Sequence, residues 1–427
     1  MHWQLATLAA ILLGFAAVSS RIVGTWITAP MVFTAAGLIV GVEALGLVDP
    51  SATGIEVKTL AEATLAVVLF SDASRIDLQA LRRTLGIPAR LLGIGLPLTI
   101  LAGFVVGIAL LGELAWPEVL LLAIILAPTD AALGQAVVTS PRLPVRVRQS
   151  LNVESGLNDG ICVPLFFVAL AVALAEEGAI GNGAAAELVL EKIGYGVLGG
   201  VVAGAVAAAV VIQAGGRRLV DASWLQVVPL AGALLGFGLA EAIEGSGFIA
   251  AFVGGMVFGG LRRRRGGDIS YLMEQTSAVL AAVTFVVFGA ILLGPALRDL
   301  PWQIALYAVL SLTLVRMVPV AIAMLGTGAR GPTVGFLGWF GPRGAASIVF
   351  ALLLLEEESA LPNQEVILTT VFVTVGLSVL AHGATAAPLA TRYADWLDAR
   401  SARSDAAPES DESADVRWRL EHEASSE

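Results

Sequence analysis

The apolar residues of this chain fall in long uncharged runs, not at the scattered spacing that gives a water-soluble helix one greasy face and one wet one. Runs of about 20 such residues match the hydrocarbon thickness of a bilayer. A segment crossing that layer must satisfy its own backbone hydrogen bonds, which leaves helices or a closed barrel. The chain is therefore read as an all-α polytopic membrane protein, with 57% apolar and 14% charged residues among its 427.

At that length per crossing the apolar segments lie at about 3–20, 27–47, 55–72, 85–111, 116–139, 149–175, 187–214, 223–243, 246–261, 270–293, 301–325, 332–355 and 362–388, which makes about 13 transmembrane helices. The first is taken as a span and not as a cleaved leader, because no basic residue precedes it and Arg21 follows it. Basic residues favour one side of a membrane. Here they fall on alternate loops: Arg21; Arg75, Arg82 and Arg83; Arg142, Arg146 and Arg148; Arg217 and Arg218; Arg262 to Arg265; and Arg330. The intervening loops carry Asp49, Glu113, Glu118, Glu176, Glu177, Glu244 and Glu356 to Glu358, with Arg298 as the exception. That alternation places the N-terminus outside and the C-terminus in the cytoplasm. Residues 391–427 hold ten acids and five bases and read as an acidic, solvated tail with a short helix near Trp418. The single Cys162 excludes a disulfide, and three scattered histidines exclude a histidine metal motif. The basic run between two apolar segments is a topology signal, and no nucleic-acid partner is expected.

Two segments combine proline, glycine and charge: Ala127-Pro128-Thr129-Asp130-Ala131-Ala132 and Gly341-Pro342-Arg343-Gly344-Ala345-Ala346, offset by 214 residues (342 minus 128). The same offset carries the starts of spans one to six close to those of spans eight to thirteen. Seven spans separate equivalent copies, and an odd number inverts one against the other. The chain thus divides into repeat one (about 3–175), a linking helix (about 187–214) and repeat two (about 223–388), two inverted six-helix repeats of the kind found in secondary transporters. Pro128 and Pro342 each remove a backbone donor, which makes spans 5 and 12 discontinuous and deprives the carbonyls of Ile124 and Gly338 of helical partners. Asp130 would neutralise the N-terminal ends of half-helices meeting at such breaks, and Arg343 the C-terminal ends.

The sixth span carries Glu154-Ser155-Gly156-Leu157-Asn158-Asp159 and Cys162. At 100° per residue Glu154, Ser155, Asn158, Asp159 and Cys162 share an arc of about 140°. An acid at mid-span costs about 2.5–3.5 kcal/mol on insertion scales, so Asp130, Glu154 and Asp159 need partners or a task. The clearly intramembrane bases are Arg316 and Arg343. Glu154 pairs most naturally with Arg316, and Asp130 and Arg343 serve the breaks. Asp159 remains as the carboxylate that a proton or a metal cation could neutralise. Glu62 and Asp72 in the third span are candidates for an ion entrance. Glu241 reads as a loop-proximal acid and His382 as a satisfied interior histidine, while the pairs Gly200/Gly204 and Gly255/Gly259 read as close helix packing.

These motifs, Pro-Thr-Asp-Ala at 128–131, Glu-Ser-x-x-Asn-Asp at 154–159, the arginine of the eleventh span and Gly-x-Arg-Gly at 341–344, resemble the monovalent cation/proton antiporters, in particular their electroneutral NhaP-like, sodium/proton-exchanger branch. The resemblance covers about 390 residues. It implies a transporter domain over 1–390 in the cell (inner) membrane, forming a homodimer through spans 1–3 and 8–10. A core of spans 4–6 and 11–13 would slide against that frame as an elevator. It further implies that Asp159, Asp130, Ser155, Glu154 and the Thr129 carbonyl surround the ion, Na+ in the first instance. Asn158 would stand where electrogenic relatives have aspartate, which gives one-for-one exchange. The transported Na+ and H+ are cargo, and no cofactor is expected. Exchange of K+ is the alternative within the family. A cation channel, or an intramembrane protease built on Asp130 and Asp159 or on Ser155 and His382, are the alternatives outside it.

Overall fold

The computed structural model describes residues 2–22, 25–47, 54–75, 86–130, 133–215, 217, 219–262, 269–356 and 361–401. Arg82, Arg83, Arg218 and Arg263 to Arg265, with Ala131, Ala132 and the tail beyond Ser401, lie outside that set. Among the described residues the regular elements are all helical: α1 His2–Ile22, α2 Ala29–Val40, α3 Gly54–Arg75, α4 Gly86–Leu110, α5 Trp116–Ile125, α6 Gln135–Val138, α7 Val145–Glu176 and α8 Asn182–Ala209. They continue as α9 Ala222–Glu241, α10 Gly247–Arg262, α11 Tyr271–Ala296, α12 Trp302–Ala323, α13 Gly331–Trp339, α14 Ala345–Glu356 and α15 Gln364–Ser401. Among the described residues, eight helices are long and apolar enough to cross a membrane, and four shorter apolar helices accompany them. This is an integral membrane protein.

Each apolar segment read from the sequence overlies a helix, except that the fifth and twelfth are split. The chain leaves helical geometry after Ile125 and again after Trp339. At the first break the Ile124 carbonyl is not orphaned, as Pro128 alone would suggest, because the Ala127 N–H tightens the last turn onto it at 3.2 Å. At the second, Phe340 has φ −81° and ψ 62° and the Gly341 N–H donates to the Trp339 carbonyl at 2.8 Å, an inverse γ-turn.

The expected tail boundary at 390 is also displaced. Helix α15 continues to Ser401, because Ala390, Tyr393, Ala394 and Leu397 recur at helical spacing and are all buried. Tyr393 stacks on Phe336 of α13, and Arg142 in the α6–α7 connection donates to Asp395 at 2.6 Å and Asp398 at 2.9 Å.

Glycine permits the tightest helix crossings. A Cβ on Gly204 of α8 would collide with the Gly254 carbonyl of α10, and one on Gly259 would collide with the Ser74 carbonyl of α3. The exceptional Arg298 pairs with Glu43, so it adds little net charge to its loop. Two apolar clusters flank the helix breaks. The larger includes Ile125, Ala127 and Ile348, and the smaller includes Val137, Phe336, Phe340 and Tyr393. Between them lies a layer that is largely polar.

Candidate functional site

Helix α7 supplies the floor of this layer. Its i, i+4 spacing puts Glu154, Ser155, Asn158, Asp159 and Cys162 on one buried face. Apolar neighbours on the other elements give those side chains few partners, so each bond they make fixes a position. Arg316 of α12 donates Nη1 to Glu154 Oε1 at 2.6 Å and Nη2 to Oε2 at 2.8 Å, a two-pronged pairing between residues each 1% exposed. Gly341 makes room for it, since a Cβ there would overlap the Arg316 guanidinium. Both carboxylate oxygens of Glu154 are thus engaged by its counter-ion.

The first break is gripped by α7. Thr129 donates its N–H to Asn158 Oδ1 at 3.3 Å, its Oγ1 accepts from Asn158 Nδ2 at 2.8 Å, and its carbonyl accepts from Ser155 Oγ at 2.6 Å. Asn158 and Ser155 therefore hold one residue, Thr129, by its N–H, its hydroxyl and its carbonyl. Asp159, one turn beyond Ser155, is 7% exposed, and among the described residues its Oδ1 has no hydrogen-bond partner. Asp130 and Asp72 are the carboxylates whose charge Asp159 feels.

The two breaks complete each other. The Asp130 N–H donates to the Pro342 carbonyl at 2.7 Å, and Asp130 Oδ2 accepts from the Ala345 N–H, at the start of α14, at 2.9 Å. In return Arg343 Nη1 donates to the carbonyls of Ala127 at 2.9 Å and Pro128 at 3.3 Å, just past the end of α5. A carboxylate thus meets a positive helix end and a guanidinium a negative one. Gly344 is needed here, because a Cβ would collide with the Asp130 carboxylate. A pocket lined by Thr129, Asp130, Ser155, Phe340 and Pro342 opens onto this crossing.

Asp72 packs against α7, since a Cβ built on Gly156 would lie 3.3 Å from the Asp72 Cβ. Glu62 stands ten residues earlier, about 15 Å along the same helix. Sequence reasoning missed three residues. Ser347 Oγ donates to the Ile125 carbonyl at 2.7 Å, Ser378 Oγ accepts from the Arg343 N–H at 2.7 Å, and Glu118, read as a loop acid, is fully buried. Glu118 accepts from the Ala115 N–H at 2.9 Å and from Asn363 N and Nδ2 at 3.1 and 3.0 Å, tying the start of α5 to that of α15. No charge pattern marks these residues; only the spatial meeting of distant segments does. Glu241 accepts from the Gly247 N–H at 2.8 Å and caps α10.

The comparisons agree with this architecture. Residues 7–392 match the family described as sodium/hydrogen exchanger, transmembrane. A K(+)/H(+) antiporter NhaP2 of Shewanella oneidensis is 28% identical over 374 residues, covering 84% of this chain and 62% of that protein. A Na(+)/H(+) antiporter of Schizosaccharomyces pombe is 27% identical over 293 residues, covering 64% and 61%. The chain spans just under two thirds of the length of the Shewanella NhaP2 relatives. Among solved structures, the sodium proton antiporter MjNhaP1 from Methanocaldococcus jannaschii at pH 8 superposes with a TM-score of 0.73 at 19% identity, over 91% of this chain and 98% of that one, which shows a shared fold. With a family match running almost from end to end, the chain belongs to the transmembrane sodium/hydrogen exchanger family.

Proposed function

We propose that the protein is a secondary transporter that exchanges a monovalent cation for H+ at a single site centred on Asp159. The observation that carries this reading is the buried Asp159 Oδ1, without a hydrogen-bond partner among the described residues, one helical turn from the Ser155 that bonds the first break. A buried carboxylate oxygen without a donor is costly, and a proton or a desolvated cation removes that cost. Only one of them can do so at a time. The Thr129 carbonyl, the Ser155 hydroxyl and Asp130 supply the neighbouring oxygens. Arg343 and Arg316 are occupied by the breaks and by Glu154, and Asn158 adds no charge.

Exchange then follows from mutual exclusion. With one carboxylate alternating between protonated and cation-bound states, the loaded site carries the same charge in both directions. One-for-one exchange is therefore electroneutral, and a membrane potential worth about 2.3 kcal/mol per charge per 100 mV does no net work on it. In this reading the core of spans 4–6 and 11–13 moves as an elevator against a dimeric frame of spans 1–3 and 8–10, in the cell membrane with the C-terminus cytoplasmic. Na+ is the first-choice cargo. The NhaP2 name of the Shewanella relatives favours K+ as the second.

Reconstituted protein in liposomes carrying an internal pH dye, challenged with Li+, Na+ and K+, tests this. Wild type is expected to release protons against Na+ or K+ gradients with saturation, and Asp159→Asn is expected to be silent. Below the pKa of the site, apparent cation affinity should fall by about tenfold per pH unit, as one-proton competition requires. Exchange retained in Asp159→Asn, or an affinity that ignores pH, overturns the proposal.

A further inference from the structure

We infer that His382, together with Ser378, is a positioning residue that sets the geometry of the ion site without touching it. The inference rests on the exchange reading above. His382 is fully buried in α15, which places it beside the second break. Its Nε2 lies 2.9 Å from the Trp339 carbonyl, the last of α13 and the acceptor of the γ-turn. A carbonyl can only accept, and each ring nitrogen faces one, since Nδ1 lies 3.1 Å from the Ser378 carbonyl; the neutral ring is assigned its proton on Nε2, which faces the nearer carbonyl, and Nδ1 is then the acceptor. Nδ1 lies 3.2 Å from Ser378 Oγ, one turn earlier, so the Ser378 hydroxyl proton points at the ring. The lone pairs of that hydroxyl are then free to accept, and they do so from the Arg343 N–H at 2.7 Å.

The result is a chain of three hydrogen bonds, Arg343 N–H to Ser378, Ser378 to His382, and His382 to Trp339. It fixes both shoulders of the 340–344 break to one rigid helix. Between those shoulders lie Phe340 and Pro342, which line the pocket, and the Pro342 carbonyl that receives the Asp130 N–H. Arg343 reaches from the same segment to Ala127 and Pro128, next to Thr129. Any slackening of the 340–344 turn therefore moves the oxygens proposed to hold the cation. Trp339 packs over the imidazole at 5.0 Å between ring centroids, which limits the ring's rotation. The neutral imidazole offers a donor and an acceptor at opposite ends of a rigid plate.

The test compares wild type, His382→Leu, His382→Gln and Ser378→Ala in the proteoliposome assay, scoring apparent KM for Na+ (or K+, if that is the cargo) separately from maximal rate. Each variant is first checked for a monodisperse size-exclusion profile. His382→Leu and Ser378→Ala should each raise KM by about tenfold, the order expected when one buried hydrogen bond is lost. Because both act on one chain of bonds, the double variant should be no worse than the poorer single one. His382→Gln, which keeps a donor for Trp339, should recover most of the affinity. Wild-type KM in monodisperse His382→Leu overturns the inference while leaving Asp159 exchange intact. Absence of exchange in wild type instead overturns the function reading alone. Nitrogen-15 spectra of histidine-labelled protein, with His2 and His422 replaced by Gln, give a readout independent of transport. They should show one neutral Nε2–H tautomer across pH 5–8, and a protonated or tautomerically mixed ring in that range also refutes the inference.

Discussion

Substitution of Glu154 or Arg316 probes the strongest polar contact in the molecule. Both residues are 1% exposed, and two charge-assisted bonds of 2.6 and 2.8 Å join them. Glu154→Gln leaves the Arg316 guanidinium charged and buried, and among the described residues its Nε already lacks a partner. Removing one member of such a pair costs about 3–5 kcal/mol, mostly as the penalty on the survivor. Arg316→Met should cost a similar amount through the stranded carboxylate. The double variant Glu154→Gln/Arg316→Met strands no charge and should be no less stable than either single one. The coupling energy is then about as large as a single loss, and the cycle is strongly non-additive. Reversible unfolding in mixed micelles, followed by tryptophan fluorescence, measures all four corners. In the same assay Asp159→Asn should be neutral or stabilising, since it removes a charge that has an unsatisfied oxygen. Additivity to within about 0.5 kcal/mol, or an Asp159→Asn loss as large as that of Glu154→Gln, would refute the division between a structural and a titrating acid.

Three further outcomes are expected. Gly344→Ala should abolish exchange by forcing the Asp130 carboxylate off the Ala345 N–H, whereas Gly335→Ala, with open space around it, should leave liposome flux unchanged. Arg142→Ala should raise amide hydrogen exchange over residues 390–401 at low salt, and added salt should bring wild type toward the variant, because the Asp395 and Asp398 contacts that hold the guanidinium above its ordinary pKa are exposed. Asp221 caps α9, and its bonds from Ser223 hold the carboxyl below the usual aspartate range. Its contribution is present above the unfolded pKa and lost as pH falls through the lower folded value, so protection of the first α9 amides should decline with acid in wild type and stay flat in Asp221→Ala.

Much of this architecture was legible because lipid imposes simple rules. An apolar run must be a helix, proline must interrupt it, and a buried acid must find a partner, which is enough to single out Pro128, Asp130, Asp159, Arg316 and Arg343. Burial of Glu118 was not legible, since an acid three residues into a helix is ordinary at a surface and only its meeting with Asn363 shows otherwise. The extension of α15 was hidden by composition. Asp395 and Asp398 made residues 391–401 look solvated, while Ala390, Tyr393, Ala394 and Leu397 formed a buried stripe between them. Ser378 and His382 carry no signal of their own. Their importance comes from the segment that crosses them, which a linear reading cannot place.

The reciprocal clasp between the two breaks also bears on biogenesis. A ribosome releases Asp130 and Glu154 well before Ala345 and Arg316 exist, so the first half of the chain enters the bilayer with both acids uncompensated. Neither half is a finished module. The nascent intermediate must shelter those acids, in the translocon or in protonated form, until the trailing half arrives to close the clasp.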